Sequence, residues 1–275
     1  MQPRCKGRAR QISRLILEPS QRREAVLEMI GSARRHLAIS LFRCSDFRVL
    51  EEIAAAVRRG VEVEVMLTAR ARHWRKKLQV LAKLLESAGA KVHRNGPEQT
   101  KYHAKYIVAD GERALISSIN YTRKCYTETC DFLYLTREGE VVGVLLQLFR
   151  SDVEGAPMPE EGKRELVLGR EGMAGLIQAA RKSIRIIDHK LTDPRMLALL
   201  EARRQEGLSV EVVDKRALGG MQAHGKLMLI DDRAAVIGSM ALSARSLDGR
   251  RELAVVIRDS GQVAELRRFY RRVRR

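Results

Sequence analysis

Two histidines in this sequence are each followed, two positions later, by a lysine, and the residues beyond them repeat at matching intervals. HAKYIVADGERALISSIN begins at His103, and HGKLMLIDDRAAVIGSMA begins at His224. Because side chains alternate faces along a strand, each histidine is predicted to share a face with its lysine, Lys105 or Lys226. Imidazoles can act as nucleophiles and as general acids or bases, and ammonium groups neutralise anions. The residue types therefore favour chemistry on a phosphate-like group.

The residues after each His-x-Lys pair predict a hairpin. Asp110-Gly111 and Asp231-Asp232 follow apolar runs and are typical of turns, so both motif aspartates are interpreted as structural. The returning strand of the first copy brings Ser118 and Asn120 to one face. The second copy brings back Gly238 and Ser239, but Ala241 stands where the first copy has Asn120.

An acidic residue follows each hairpin at the same offset. These residues are Asp131, in TCDFLYL, and Glu252, in RRELAVV. Each is a candidate partner for an imidazole N–H group, because a carboxylate in that position fixes the tautomer and orientation of the ring.

The wider sequence repeats as well, which predicts a duplicated chain. SARRHLAI resembles AARKSIRI, and the helical patterns DFRVLEEIAAAVRRG and DPRMLALLEARRQEG both end in Gly, at Gly60 and Gly207. We expect the order β-α-β-α-β and then a hairpin, written twice. This is an α/β fold with two mixed sheets, flanked by helices and packed with pseudo-twofold symmetry. The predicted units are residues 1–154 and 164–275, joined by a linker at 155–163, with an extra basic helix near Trp74–Ala88 in the first unit.

The charge and the apolar content of the sequence limit the classes of partner that the protein can have. The chain of 275 residues carries 52 Lys and Arg against 34 Asp and Glu, a net charge of +18, which favours nucleic acid or anionic lipid as a partner. No apolar run is long enough for a signal-peptide core or a spanning helix, so a cytoplasmic protein is expected, with peripheral membrane contact left open. Cys125 and Cys130 allow a disulfide, although idle thiols in a reducing compartment are the better expectation.

Taken together, the two motifs resemble the paired HKD motifs of the phospholipase D superfamily. The first copy departs from the family pattern in having Ser117 where Gly is usual, and the second lacks the final Asn. The resemblance implies that His103 is the nucleophile and forms a phosphohistidine, that His224 is the general acid and base, and that no metal or cofactor is needed. The phosphate would be bound by two lysines, one amide and two hydroxyls: Lys105, Lys226, Asn120, Ser118 and Ser239.

The superfamily acts on several phosphodiesters, and the motifs do not choose among them. We expect hydrolysis or transfer of a phospholipid, including transfer of the kind that makes cardiolipin. A metal-independent endonuclease acting on DNA or RNA is the alternative, and a non-catalytic polyanion-binding protein is a third possibility. Two motifs in one chain make a monomer sufficient, and a dimer remains open.

Overall fold

The structure is a computed structural model that describes residues 12–94, 101–156, 165–215 and 217–274. Cys5 and the segment 157–163 of the predicted linker lie outside these residues. Within the described part, Cys44, Cys125 and Cys130 are buried free thiols, so the disulfide considered from the sequence is not formed.

The first unit begins with strand–helix alternation and ends on a long helix. Its elements are β1 (Ser13–Ile16), α1 (Pro19–Gly31), β2 (His36–Leu41), α2 (Phe47–Arg58), β3 (Glu62–Leu67), α3 (Arg75–Ser87), β4 (Lys91–Arg94), β5 (Lys101–Tyr102), β6 (Tyr106–Ala109), β7 (Arg113–Ser117), α4 (Arg123–Thr127), β8 (Thr129–Cys130), β9 (Leu133–Thr136) and α5 (Gly139–Glu154).

The second unit follows the same plan without a counterpart of α3 among the described residues. Its elements are β10 (Leu166–Val167), α6 (Arg170–Ala179), β11 (Ser183–Ile187), α7 (Pro194–Gln205), β12 (Ser209–Val213), β13 (Ala217–Leu218), β14 (Met221–Ala223), β15 (Lys226–Ile230), β16 (Ala234–Gly238), α8 (Ala244–Leu247), β17 (Arg250–Arg251), β18 (Ala254–Ile257) and α9 (Ser260–Val273).

Two large mixed sheets organise the described residues. The first has the order β1-β9-β7-β6-β2-β3-β4, and the second has the order β10-β18-β16-β15-β11-β12. In each, the strands around the strand–helix crossovers are parallel and the hairpin strands are antiparallel. The predicted α/β fold with mixed sheets flanked by helices is confirmed.

Apolar side chains bury both faces of each sheet. α1, α2 and α3 pack on the outer face of the first sheet, and α6 and α7 pack on the outer face of the second. The inner faces share one core with α5 and α9, which contains residues of both units, such as Tyr106, Leu145, Leu229 and Leu266. The two halves therefore form a single packed body. No helix in the described ranges is both long and apolar enough to span a bilayer.

Helix boundaries follow the sequence signals. Asp46 and Asp193 begin α2 and α7 by accepting hydrogen bonds from the backbone N–H groups of Arg48 and Met196. Gly60 and Gly207 follow the same two helices with φ of 85° and 92°, as the predicted stop signals require. The predicted basic helix near Trp74–Ala88 is α3.

Two small sheets join the halves. β5 of the first half pairs in parallel with β17 of the second, and β14 of the second half pairs in parallel with β8 of the first. The two pairings are equivalent under the repeat, because β5 corresponds to β14 and β8 corresponds to β17. This reciprocity brings the two motifs to one place.

Candidate active site

Each motif histidine lies where the chain leaves a small inter-half sheet and enters a large sheet. His103 lies between β5 and β6, and His224 lies between β14 and β15. The sequence predicted a continuous strand through each His-x-Lys pair, but the first pair lies in the connection and only Lys226 of the second begins a strand. The reason is a change of partner: the N–H groups of His103 and Gly225 bond to Arg251 and Cys130 of the opposite half, at 2.9 and 2.8 Å.

The imidazole of His103 pairs with an acid from the other half of the chain. Its Nδ1 lies 2.8 Å from a carboxylate oxygen of Glu252. Burial alone would raise the pKa of Glu252, but the charge and hydrogen bond of His103 outweigh it and lower that pKa to about 2. A carboxylate at Nδ1 makes that nitrogen the N–H donor and leaves Nε2 as the free nitrogen of the ring.

The imidazole of His224 makes the converse pairing. Its Nδ1 lies 2.8 Å from Asp131 of the first half, whose side chain is fully buried. Burial alone would raise the pKa of Asp131, but His224 and two hydroxyl hydrogen bonds outweigh burial and lower it. Each ring is therefore oriented by the acid of the opposite half, and each acid is held as a carboxylate.

The two serines are hydrogen-bonded to the segments that carry the acids. The Ser118 hydroxyl is buried, donates to Asp131 at 2.5 Å and accepts from the N–H of Phe132 at 2.9 Å. The Ser239 hydroxyl is buried beside the backbone of Leu253, with oxygen–oxygen and nitrogen–oxygen distances of 3.4 Å. Both serines therefore support the segments that carry the acids. Their predicted contact with a phosphate stays a prediction.

The lysines lie beside their own histidines. The ammonium groups of Lys105 and Lys226 donate to the backbone carbonyls of His103 and His224, respectively. Burial and the charge of Lys226 lower the pKa of Lys105 to about 7, although Glu252 acts in the opposite direction. The effect of Lys226 on Lys105 indicates that the ammonium groups of both motifs act within one electrostatic environment.

His103 is desolvated as well as paired. The ring of Phe42 packs edge-on against it, with a centroid distance of 4.4 Å. Burial, followed by the charge of Lys105, lowers the pKa of His103 well below its ordinary value. A neutral imidazole with a free Nε2 is the form that can attack phosphorus.

The first motif ends in Asn120, and the second motif has Ala241 at the matching position. The side chain of Asn120 is 9% exposed, and its Oδ1 is buried without a hydrogen-bond partner among the described residues. At the matching place Ala241 is buried, and its N–H donates to Ser246. The two halves therefore differ in their supply of polar groups.

The motif aspartates and Gly238 have structural surroundings. Asp110 accepts from the N–H groups of residues 34–36, and Asp231 accepts from those of residues 181–183. Asp110 thereby connects the turn before β2 to the first hairpin, and Asp231 connects the turn before β11 to the second hairpin. Both hairpin turns lie at the opposite end of their strands from the imidazoles. At Gly238, an added Cβ would lie 2.3 Å from the carbonyl oxygen of Leu253, so glycine is needed for the close approach of two strands.

Three residues that hold the acids were not found from the sequence. Thr129 donates to Asp131 at 2.5 Å, Ser246 donates to Glu252 at 2.9 Å, and the buried guanidinium of Arg22 donates to the backbone carbonyls of Cys125, Thr129 and Asp131. Arg22 carried a signal, since it lies on the apolar face of α1 together with Ala25, Val26 and Met29. A charged residue at such a core position usually has a dedicated partner.

One group of described side chains offers ligand-type atoms for a metal ion. The relevant atoms of Cys125, Asp131 and His224 lie within 4.8 Å of one another. Asp131 and His224 are already hydrogen-bonded to each other, and burial together with Asp131 raises the pKa of Cys125. A raised thiol pKa disfavours the thiolate that metals bind, so the group suits a hydrogen-bonded support better than a metal cage.

Comparison with protein families decides the relationship that these motifs suggested. A family model described as cardiolipin synthase, PLD-like domain, matches residues 26–153 and 215–274, which is more than half of the chain. This chain belongs to the phospholipase D-like family. Both His-x-Lys motifs and both acids lie within the matched residues, and members of the superfamily are phosphodiesterases or phosphotransferases.

Solved structures share the fold of this phospholipase D-like chain. Phosphatidylserine synthase from Haemophilus influenzae Rd KW20 matches with a TM-score of 0.75 and 14% identity, over 95% of this chain and 86% of that one. Polyphosphate kinase from Porphyromonas gingivalis matches with a TM-score of 0.77 and 17% identity, over 94% of this chain. The match spans only 46% of the kinase. No curated protein sequence matches the chain.

Proposed function

We propose that the protein is a phosphodiesterase or phosphatidyltransferase that works through a phosphohistidine. The observation that carries the proposal is the pair of crossed 2.8 Å hydrogen bonds, His103 to Glu252 and His224 to Asp131. They give one site two oriented imidazoles, each with Nε2 left for chemistry, beside the ammonium groups of Lys105 and Lys226. Two such rings meet the needs of a double displacement, in which one ring attacks while the other moves a proton.

The proposed reaction has two steps. In the first, Nε2 of His103 bonds to phosphorus, the bond to the leaving oxygen breaks, and the Nε2 proton of His224 passes to that oxygen. In the second, His224 takes a proton from water or an alcohol, whose oxygen attacks phosphorus while the P–N bond breaks. Lys105, Lys226 and Asn120 would stabilise the charge on the non-bridging oxygens. Both imidazoles return to their starting forms.

Phospholipid is the substrate class that we favour. The family description names cardiolipin synthase, and the fold covers nearly all of a phosphatidylserine synthase at a TM-score of 0.75. The net charge of +18 suits an anionic bilayer surface. The protein would then act at a cytoplasmic membrane face. A single chain carries both motifs and would suffice for turnover.

Nuclease activity is the second candidate, because the same charge also suits a nucleic acid backbone. Assays on phosphatidylglycerol vesicles, single-stranded DNA, double-stranded DNA and RNA, at equal phosphate concentration, separate the two. Preferential release of glycerol or formation of cardiolipin supports the lipid proposal, and preferential strand cleavage rejects it.

The nucleophile is tested with a phosphatidyl ester of p-nitrophenol, whose leaving group needs no proton. His224→Ala should release nitrophenol once and keep a phosphatidyl adduct on His103, detected by mass spectrometry after an alkaline quench. His103→Ala should form no adduct, and His73→Asn, at an exposed histidine, should turn over like the wild type. An adduct on His224 in the His103→Ala protein would reject the assignment of roles.

A further inference from the structure

Three cations lie beside the first motif and have no part in the two-step reaction. Arg43 follows β2, Lys101 belongs to β5 and Arg250 belongs to β17. Lys101 and Arg250 are directly paired in the parallel register that joins the two halves. The guanidinium of Arg43 and the ammonium of Lys101 lie 5.0 and 5.4 Å from the centroid of the Phe42 ring.

Phe42 connects this group to the reacting centre. The same ring contacts His103 at 4.4 Å between centroids, and the ammonium of Lys105 lies 5.1 Å from its centroid. Cations of the proposed reaction site and of the additional group therefore surround one aromatic side chain. Two neighbouring phosphates of one substrate could contact the two sets at the same time.

The additional group has more positive charge than its described neighbours balance. Arg250 lies 3.7 Å from Glu252, but that carboxylate already accepts hydrogen bonds from His103 and Ser246. The Nε atoms of Arg43 and Arg250 are buried without a hydrogen-bond partner in the described part of the chain. Burial, and then the charges of Arg250 and Arg43, lower the pKa of Lys101. An anion bound beside these three cations would relieve their mutual repulsion.

The group also breaks the symmetry of the two halves. The repeat places Gln222 where the first half has Lys101, and Thr129 where the second half has Arg250. Phosphodiester chemistry with two imidazoles and two lysines uses equivalent residues from both halves. Arg43 has a cationic counterpart in Lys190, so the pair that is present on one side only is Lys101 and Arg250. This pair distinguishes one side of the scissile phosphate from the other.

We propose that Arg43, Lys101 and Arg250 form a second anion subsite that binds a further phosphate of the substrate, adjacent to the scissile one. The assignment deepens the proposed function and rests on it. Its preferred substrate is a phospholipid whose headgroup carries a second phosphate, such as a pyrophosphate-linked headgroup. A lipid with one isolated phosphodiester would leave the subsite without its ligand.

The first test needs no turnover. Binding of inorganic pyrophosphate and orthophosphate to the full chain is measured by calorimetry. Two charge-assisted contacts predict that pyrophosphate binds about tenfold tighter or better. Lys101→Gln and Arg43→Gln should remove most of this ratio, and Lys83→Gln, at an exposed lysine of α3, should keep it. Equal affinities in the wild type, or a ratio unchanged in both subsite variants, would overturn the subsite.

The second test compares kcat/KM for vesicle lipids that differ only in a second headgroup phosphate. The wild type should prefer the two-phosphate lipid, and Lys101→Gln should lower the ratio of the two values about tenfold. Absence of lipid turnover would reject the proposed function while calorimetry still reports on the subsite. A short oligonucleotide preferred over both lipids would overturn the assignment of the second phosphate to a lipid headgroup.

Discussion

Nδ1 of His103 lies 2.8 Å from the carboxylate of Glu252, although the two residues are 149 positions apart in the chain. The converse pair, His224 and Asp131, has the same distance across 93 positions. Neither motif histidine takes its carboxylate partner from its own half. The site therefore exists only when both halves are packed together, which makes the contact between halves a requirement of the chemistry.

Replacing either crossed acid should abolish most turnover. Glu252→Gln removes the negative charge that fixes the His103 tautomer and stabilises the positive charge that develops on the ring during attack. We expect kcat to fall by about 100-fold or more, as is typical when an orienting carboxylate becomes an amide. Steady-state kinetics on the favoured substrate measure the effect, with thermal unfolding as a check on the fold.

The reciprocal variant and a surface control sharpen this result. Asp131→Asn should lower kcat to a similar extent through His224, and Glu201→Gln, at an exposed acid of α7, should leave it unchanged. A leaving group that needs no protonation should restore the first step in Asp131→Asn but not in Glu252→Gln. Equal rescue of both variants would contradict the division of labour between the histidines.

Lys105 should set the alkaline side of the pH profile. Its pKa is lowered to about 7, so the ammonium is present below that pH and is lost as the pH rises through it. The kcat/KM should then fall about tenfold for each further pH unit. Burial and Lys105 also lower the pKa of His103, so the nucleophile stays neutral below pH 6.5.

Substitution by arginine tests that assignment. Lys105→Arg keeps a cation at every accessible pH and should remove the fall near pH 7, even where its maximal rate is lower. Lys91→Arg, at a lysine beside Glu64 far along the sheet edge, should leave the profile unchanged. An alkaline fall that persists in Lys105→Arg would assign it to another group.

The fold could be predicted from the sequence because its signals are local. The patterns of a strand, an amphipathic helix or a helix stop such as Gly60 or Gly207 can each be recognised from a few neighbouring residues. The internal repeat then indicates the order of the elements in the two halves. The aspartates at the two hairpin turns could be placed in the same way, because Asp-Gly and Asp-Asp favour a turn whatever surrounds them.

The details of the site were less accessible, because they depend on contacts across the whole chain. Nothing in the neighbourhood of His103 indicates that its acid is Glu252 and not Asp131. Strand alternation placed Ser118 on one face with Asn120, and the family resemblance implied that both serines contact the phosphate. Alternation fails just after β7, where Ser118 turns inward to bond Asp131 at 2.5 Å.

Asn120 should account for a measurable part of the rate. Its removal in Asn120→Ala takes away one hydrogen bond to the phosphate, which predicts a loss of about 10- to 100-fold in kcat/KM. A matched control is Gln178→Ala, at an exposed amide of α6, with an expected unchanged rate. Phosphate analogues should bind more weakly to Asn120→Ala in proportion, and an unchanged rate would remove Asn120 from the phosphate site.

Chelation should leave activity intact, because two imidazoles and two ammonium groups supply every proposed step. Turnover after dialysis against EDTA should equal that before it. Cys125→Ser removes the thiol of the Cys125, Asp131 and His224 group while keeping a small polar side chain, and it should also retain turnover. Loss of activity in EDTA with recovery on adding a divalent ion, together with loss in Cys125→Ser, would reject the metal-free reaction.

The hairpin aspartates should contribute to stability and not to chemistry. Asp110 has a φ of 57° and accepts from three successive N–H groups, of residues 34–36. Asp110→Ala leaves these donors to water and strains the turn, which predicts a loss of about 2 to 3 kcal/mol in the free energy of unfolding.

Burial alone would raise the pKa of Asp110, but the backbone hydrogen bonds lower it overall. Its contribution is therefore present above the pKa of the unfolded chain and is lost as the pH falls through the folded value. Asp110→Asn tolerates the same φ and keeps one acceptor, so it should lose less stability and remove this pH dependence. Urea unfolding at pH 7 and pH 3 measures both effects, and equal stability of Asp110→Ala and wild type at pH 7 would contradict the structural role.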